Sequence, residues 1–315
     1  ADATDAALLG ALAIAGREEA ERWGSVRAHV TFVAMGRYGG RECSYASDAD
    51  VIALHEPVGG ASDSEAAASA TAIVNRVKKL LGSATSQLGI VVDLDLRPEG
   101  KNGPMSRTIA SHEEYAQRWA STWERQAAVR ARPIGSSDLD ERARALFESM
   151  AYREVSESEV RDIRLLKARM ENERLPRGSE PARHVKLGPG GLSDVEWTIQ
   201  LIQMRHGREV EGLRTPSTTR AIAVARDAGL LAAPDAEILL SAWDLATRIR
   251  AGNTLATGRM SGVKLDVLPR DSAELSALAA ILGYGSGGLT ALEEDWLRAA
   301  RQARNVMERA FWEQQ

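Results

Sequence analysis

The feature that most constrains this chain is a β-rich run, Arg27 to Met35, that ends directly in the glycine turn Gly36-Arg37-Tyr38-Gly39-Gly40. Eight residues later comes Asp48-Ala49-Asp50, which leads into a second apolar run, Val51 to His55. An alanine-rich segment with helical spacing follows from Ser62 to Leu81, and the apolar run Leu88 to Leu96 then predicts a third strand carrying Asp93 and Asp95. Strands joined through a helix in this way predict a βαβ-like half with its acids gathered on two strands.

That spacing has a chemical consequence. Residues two apart on an extended chain project to one face, so Asp48 and Asp50 point the same way, and Asp93 and Asp95 repeat the pattern. Carboxylates from different strands are what a two-metal site requires, with ions about 3.5–4 Å apart serving the attacking and leaving oxygens. Oxygen donors select Mg²⁺ or Mn²⁺, and a chain with one cysteine, Cys43, offers no thiolate cluster for zinc. Taken alone, Asp-X-Asp at a strand start is commonly a turn former. Acids inside the apolar run Val91 to Leu96, however, are costly to bury without cations. Lying between a strand and a carboxylate pair, Gly36, Gly39 and Gly40 predict backbone N–H groups that receive phosphates. No Gly-Lys-Ser/Thr follows, so the turn is not a P-loop.

Composition narrows the class further. With 315 residues, 44% of them hydrophobic, the chain is long enough for two cores, and a net charge of −4 argues against a nucleic-acid coat. The lone cysteine favours a reducing compartment, so a cytoplasmic location is expected. Apolar stretches are interrupted within roughly ten residues, short of the ~20 that cross a membrane, and the acidic, alanine-rich start does not read as a signal peptide. The chain opens at Ala1-Asp2 without a methionine, which suggests a piece of a longer polypeptide.

Downstream, Ser111 to Arg132 reads as one helix with Tyr115, Trp119 and Trp123 at intervals of four, a core pattern. Pro133 to Ser137 breaks it. The expected division is therefore a domain over 1–135 and an all-helical domain over 136–315. In the latter, apolar stripes such as Leu289, Leu292, Trp296, Ala299 and Ala303 predict a bundle of five or six helices. Gly283 to Gly288 reads as a flexible turn between two of them. Lys186-Leu-Gly-Pro-Gly-Gly191 precedes a helix. By spacing it is either a plain loop before a Ser193/Glu196 capping box, or a set of backbone donors and a cation near a nucleotide.

With these residues in view, the chain resembles the bacterial glutamine synthetase adenylyltransferases of the polymerase-β-like nucleotidyltransferase superfamily. Gly36-Arg-Tyr-Gly-Gly-Arg-Glu-x4-Ser47-Asp48-x-Asp50 is similar to the family's signature. Three later blocks follow in family order, beginning at Asp93, at Thr122-Trp-Glu-Arg-Gln and at Lys186-Leu-Gly-Pro-Gly-Gly. The resemblance implies an α+β fold, a small mixed-sheet nucleotidyltransferase domain followed by a helical bundle. It also implies transfer of AMP from ATP to a tyrosine of glutamine synthetase through a two-metal site. Family members carry two related halves, one adding AMP and one removing it by phosphorolysis. The Trp123 block, Asp194-Val-Glu196 and the ending at Trp312 look more like the adding half.

Carried over position by position, Asp48 and Asp50 match the metal pair and Asp93 the third acid, while Asp95, a fourth candidate metal ligand, stands where many relatives have Arg and either joins the site or caps its edge. Nucleotide contacts are implied at Gly36, Gly39, Gly40 and Ser47, and at Lys186, Gly190 and Gly191, though not at Glu196. Arg97, Arg130 and Lys186 either neutralise phosphate charge or form ordinary ion pairs. The partners implied are glutamine synthetase, a PII-type signalling protein and the other half of the same polypeptide, with neither nucleic acid nor membrane. The competing readings are the AMP-removing half and a non-catalytic module that binds nucleotide or PII.

Overall fold

The computed structural model describes residues 1–45, 47–82, 89–176, 178–260, 262–285 and 287–313. No helix among them is long and apolar enough to cross a membrane. The chain divides into two compact units, and the first comprises Ala1–Cys43, Ser47–Arg153 and Thr215–Ser217.

The first unit is built on a small mixed sheet. Its strands are β1 (Ala28–Ala34), β2 (Ala49–Pro57), β3 (Val92–Asp93), β4 (Ser106–Thr108) and β5 (Arg132–Pro133). β1 pairs antiparallel with β2 and β5, whereas β2 is parallel to both β3 and β4. β3 and β4 occupy successive stretches of the same edge of β2, beside residues 49–50 and 53–55 respectively. The unit's helices are α1 (Asp2–Trp23), the single turn α2 (Gly36–Gly39), α3 (Asp63–Leu81), α4 (Ile109–Arg118), α5 (Thr122–Ala128) and α6 (Asp138–Ala151).

Strand alternation places helices on both sheet faces. Phe32 and Ala34 pack with Ile73, Val74 and Val77 of α3 and Leu8 of α1, while Thr31, pointing the other way, donates a hydrogen bond to Asp140 of α6. α3 begins where its sequence says it should. Ser62 accepts from the Glu65 amide, and the Glu65 carboxylate accepts from the Ser62 amide in return.

Three sequence expectations are corrected here. The third strand is far shorter than 88–96: it ends at Asp93, and Leu88 lies outside the described residues. The chain turns because the Asp93 carboxylate accepts from the Asp95 amide (2.7 Å) and the Arg97 guanidinium gathers the carbonyls of Leu94, Lys101 and Gly103. The single helix expected over 111–132 is two, α4 and α5, because Ser121 restarts the helix with its own capping box against Glu124. Trp119 and Trp123 are consequently exposed, at 73% and 41%, rather than core. The first unit also runs past the expected break at 135 to Arg153, because α6 buries Leu139, Ala143, Leu146 and Phe147 as part of it.

The second unit, Ser44–Ala46, Glu154–Arg214 and Thr218–Gln315, is helical. Among its described residues are α7 (Glu157–Glu173), α8 (Leu192–His206), α9 (Thr218–Asp227), α10 (Ala233–Thr257), α11 (Ser272–Ile281) and α12 (Leu289–Met307). Their apolar stripes meet in one core, to which α12 contributes Leu292, Trp296 and Ala303, as its spacing predicts, with Leu289 and Ala299 partly buried beside them. The turn at 283–288 includes Ser286, outside the described residues, and Gly283, Gly285 and Gly287 there have positive φ.

Candidate functional site

The site forms where β1 and β2 meet their loops. The Met35 amide donates to the Asp50 carbonyl (2.8 Å), so β1 delivers its glycine turn directly alongside Asp50. Gly36 has φ +52°, and a Cβ there would stand 3.0 Å from Asp50 Oδ2; the carboxylate packs against the bare Cα. On the other edge of β2, Asp50 and Asp93 are register partners across the parallel β2–β3 pair. Adjacent strands lie about 4.8 Å apart, so two carboxylates in register share one face at short range.

The remaining acids stand differently. Asp48 is exposed just before β2, with half-buried Ser47 preceding it. Asp95 lies beyond β3 in the following turn, where its carboxylate faces Lys101 Nζ at 3.2 Å and Arg97 at 3.8 Å. Strand alternation therefore does not relate Asp95 to Asp93. Among the described residues, no three His, Cys, Asp or Glu side chains converge as a metal cluster. The donors at Asp48, Asp50 and Asp93 are nonetheless all carboxylate oxygens, the type that suits Mg²⁺ or Mn²⁺.

The glycines around the turn do different work. A Cβ on Gly39 would fall 1.9 Å from the Arg130 carbonyl oxygen, and one on Gly40 would fall 2.5 Å from the Arg130 guanidinium. These two are small because the chain at 130 presses against them. Arg130, 3% exposed, donates to the Gly36 carbonyl (3.1 Å), the Pro216 carbonyl (2.7 Å) and Glu42 (2.5 Å). Of the two roles open to it from sequence, the ion pair is the one formed.

Beneath the turn sits a group that sequence reasoning missed. The Tyr38 hydroxyl donates to Asp5 Oδ1 (2.6 Å), and Arg132 reaches both Asp5 oxygens at 2.9 Å. Burial pushes the Asp5 carboxyl up, but hydrogen bonds from Arg132 and Tyr38 and the charges of Arg132 and Arg41 outweigh it, leaving the group below its ordinary range. Burial, then the bond to Asp5, raises the Tyr38 phenol, which stays protonated. Asp5 lies in a helix far upstream of the motif; only the Arg130-Ala-Arg132 spacing in a family-like block hinted at this group.

Lys186, Gly190 and Gly191 belong to the second unit. Gly190 has φ +72° and a Cβ there would lie 1.8 Å from the Ala300 carbonyl oxygen, so its role in that unit is close backbone packing. Its amide donates to Asp194 (2.7 Å), a fully buried carboxylate that also holds Lys167 at 2.6 Å and Arg304 at 3.2 Å. The expected Ser193/Glu196 capping box does not form: the N-cap is Gly191, with no side-chain cap. Lys186 is half-buried in the preceding turn, where its carbonyl accepts from the Ser193 amide.

Comparison with known proteins adds an independent line. Residues 2–147 match the family model described as glutamate-ammonia ligase adenylyltransferase, and residues 164–311 match that described as GlnD PII-uridylyltransferase. Over 315 residues, 99% of its length, the chain is 45% identical to the bifunctional glutamine synthetase adenylyltransferase/adenylyl-removing enzymes of Streptomyces coelicolor and Streptomyces avermitilis. It is 38% identical over 309 residues to the protein of that name from Mycobacterium marinum. The chain spans 31% of the length of each of these curated relatives.

Proposed function

The chain belongs to the glutamate-ammonia ligase adenylyltransferase family, and from that premise we propose that its first unit is a polymerase-β-like centre transferring AMP from ATP to a tyrosine of glutamine synthetase. The observation that carries the reading is the register pairing of Asp50 and Asp93 beside Gly36.

Transfer of a nucleotidyl group asks little covalent chemistry of the protein; it asks for alignment and for neutralised charge. Asp48, Asp50 and Asp93 are the oxygen donors that would hold Mg²⁺ or Mn²⁺, which, when bound, supplies positive charge to the polyphosphate and the attacking oxygen. The acceptor hydroxyl attacks the α-phosphorus in line with the departing pyrophosphate. An ordinary tyrosine, with pKa ~10, must lose its proton to attack. Asp93 is suited to receive it: Oδ1 accepts from the Asp95 amide, which leaves Oδ2 for the proton. Gly36 allows the polyphosphate close approach to the backbone. Ser47, beside Asp48, completes the nucleotide contacts proposed for this unit, and Arg97 acts through the turn it organises.

The test is incubation with glutamine synthetase, labelled ATP and Mg²⁺. Labelled AMP on the partner is expected, and none would overturn the reading. Because the relatives' name joins both activities, the same preparation is given adenylylated glutamine synthetase and phosphate; release of ADP would assign the removing direction instead. The match of residues 164–311 to a PII-uridylyltransferase model supports a PII-type protein as a regulatory partner, tested by whether adding one changes the transfer rate. The shorter span of the chain relative to its relatives supports the remainder of such a polypeptide as a further partner.

A further inference from the structure

We propose that Arg130 and Arg132 are positioning residues for this transfer, fastening the glycine turn from beneath so that it keeps the shape against which Asp50 packs. The inference rests on the function proposed above.

The two side chains do parallel work. Arg130 Nε donates to the carbonyl of Gly36, the first residue of α2, and Arg132 Nε donates to that of Gly39, its last (3.1 and 3.0 Å). Each guanidinium then uses its other nitrogens on its own anion: Glu42 for Arg130, and Asp5, held two-pronged, for Arg132. A forked, permanently charged donor can hold a carbonyl and a carboxylate at once, which a lysine ammonium cannot do with the same rigidity. The middle of the turn is tied to the same base, since the Tyr38 hydroxyl donates to Asp5 and the Arg132 guanidinium lies 5.5 Å from the centre of the Tyr38 ring.

Burial makes the arrangement stiff. Arg130 and Tyr38 are 3% and 1% exposed, so neither is free to swing toward a nucleotide. The close approaches at Gly39 and Gly40 show the turn resting on Arg130 without room for a methyl group. Arg130 also holds the Pro216 carbonyl, and Thr215–Ser217 belongs to the first unit although the flanking sequence belongs to the second. The turn's support is thus assembled from chain segments near residues 5, 42, 130 and 216. These arginines do not touch the reacting atoms; they set where the turn's N–H groups and Asp50 stand.

The experiment uses the full chain with Arg130→Lys, Arg132→Lys and Asp5→Asn, the last in case an arginine variant does not fold. Steady-state transfer is measured with ATP and glutamine synthetase varied separately, alongside amide hydrogen exchange of residues 36–40. For both lysine variants we expect kcat/KM for ATP to fall about 10²-fold, KM for glutamine synthetase to hold within about twofold, and exchange at Gly39 and Gly40 to rise about tenfold. Asp5→Asn should move the same quantities less. Folded variants with unchanged kcat/KM for ATP and unchanged exchange would overturn the proposal. So would a loss that tracks the unfolded fraction while KM for ATP stays constant. A wild-type chain that transfers no AMP would sink the function reading alone, and exchange at the turn would still decide whether the arginines fasten it.

Discussion

At the scale of single residues, Asp93 and Asp95 separate most sharply. They are alike in sequence, but only Asp93 stands in register with Asp50; Asp95 is turned toward Lys101. Asp50→Asn and Asp93→Asn are each expected to lower AMP transfer at least about 10²-fold, whereas Asp95→Asn should stay within about threefold. Initial rates on glutamine synthetase distinguish the two classes, and equal losses at Asp93 and Asp95 would refute the distinction. His112 supplies a second residue-scale prediction. Burial, and then the charge of Arg107, holds its imidazole down to about 4 from an ordinary 6.5. Below 6.5 the unfolded chain takes up a proton that the folded chain refuses, so this contribution is intact above pH 6.5 and is lost as pH falls toward 4. The slope is about 1.4 kcal/mol per pH unit, or about 2 kcal/mol by pH 5. Urea unfolding at pH 7 and pH 5 should show that loss in the wild type and a smaller one in His112→Gln. His55, His184 and His206 shift the same way and remain as a common background.

At the scale of elements, capping residues were readable and packing was not. Ser62 announces α3 by a local, reciprocal hydrogen-bond pattern that needs no tertiary context. Trp119 and Trp123 follow a helical period, yet Ser121 starts a new helix between them and both side chains face outward. Periodicity reports which residues share a face of an uninterrupted helix, and a capping box in mid-pattern ends that inference. Trp119→Ala should therefore cost less than about 0.5 kcal/mol, as a surface change does, instead of the 3–5 kcal/mol of an emptied core site. Guanidinium unfolding midpoints measure the difference. The short β3 has a similar origin: its apolar pattern runs on to Leu96, but the hydrogen bond that the Asp93 carboxylate accepts from the Asp95 amide and the one that Arg97 donates to the Leu94 carbonyl draw the backbone into a turn first.

At the scale of the whole molecule, the mixed sheet followed by helices was legible, but the division between units was not. Pro133 to Ser137 looks like a linker, yet Pro133 is a β5 residue paired to Val33, and α6 behind it packs into the first unit. Brief proteolysis is expected to cut around residues 152–156 and to spare 133–137, with peptide masses locating the cut; prior cleavage at 133–137 would restore the earlier boundary. By itself the sequence determined the strand, the glycine turn and the order of acids and family-like blocks, because these depend on short-range geometry and on residue chemistry. Only the tertiary structure decided which carboxylates share a face, that Arg130 and Arg132 lie under the turn, and that Thr215–Ser217 joins the first unit. Those are contacts between residues as many as 127 positions apart, as from Arg132 to Asp5. Local periodicity carries no information about them; packing and the need to pair buried charge select them.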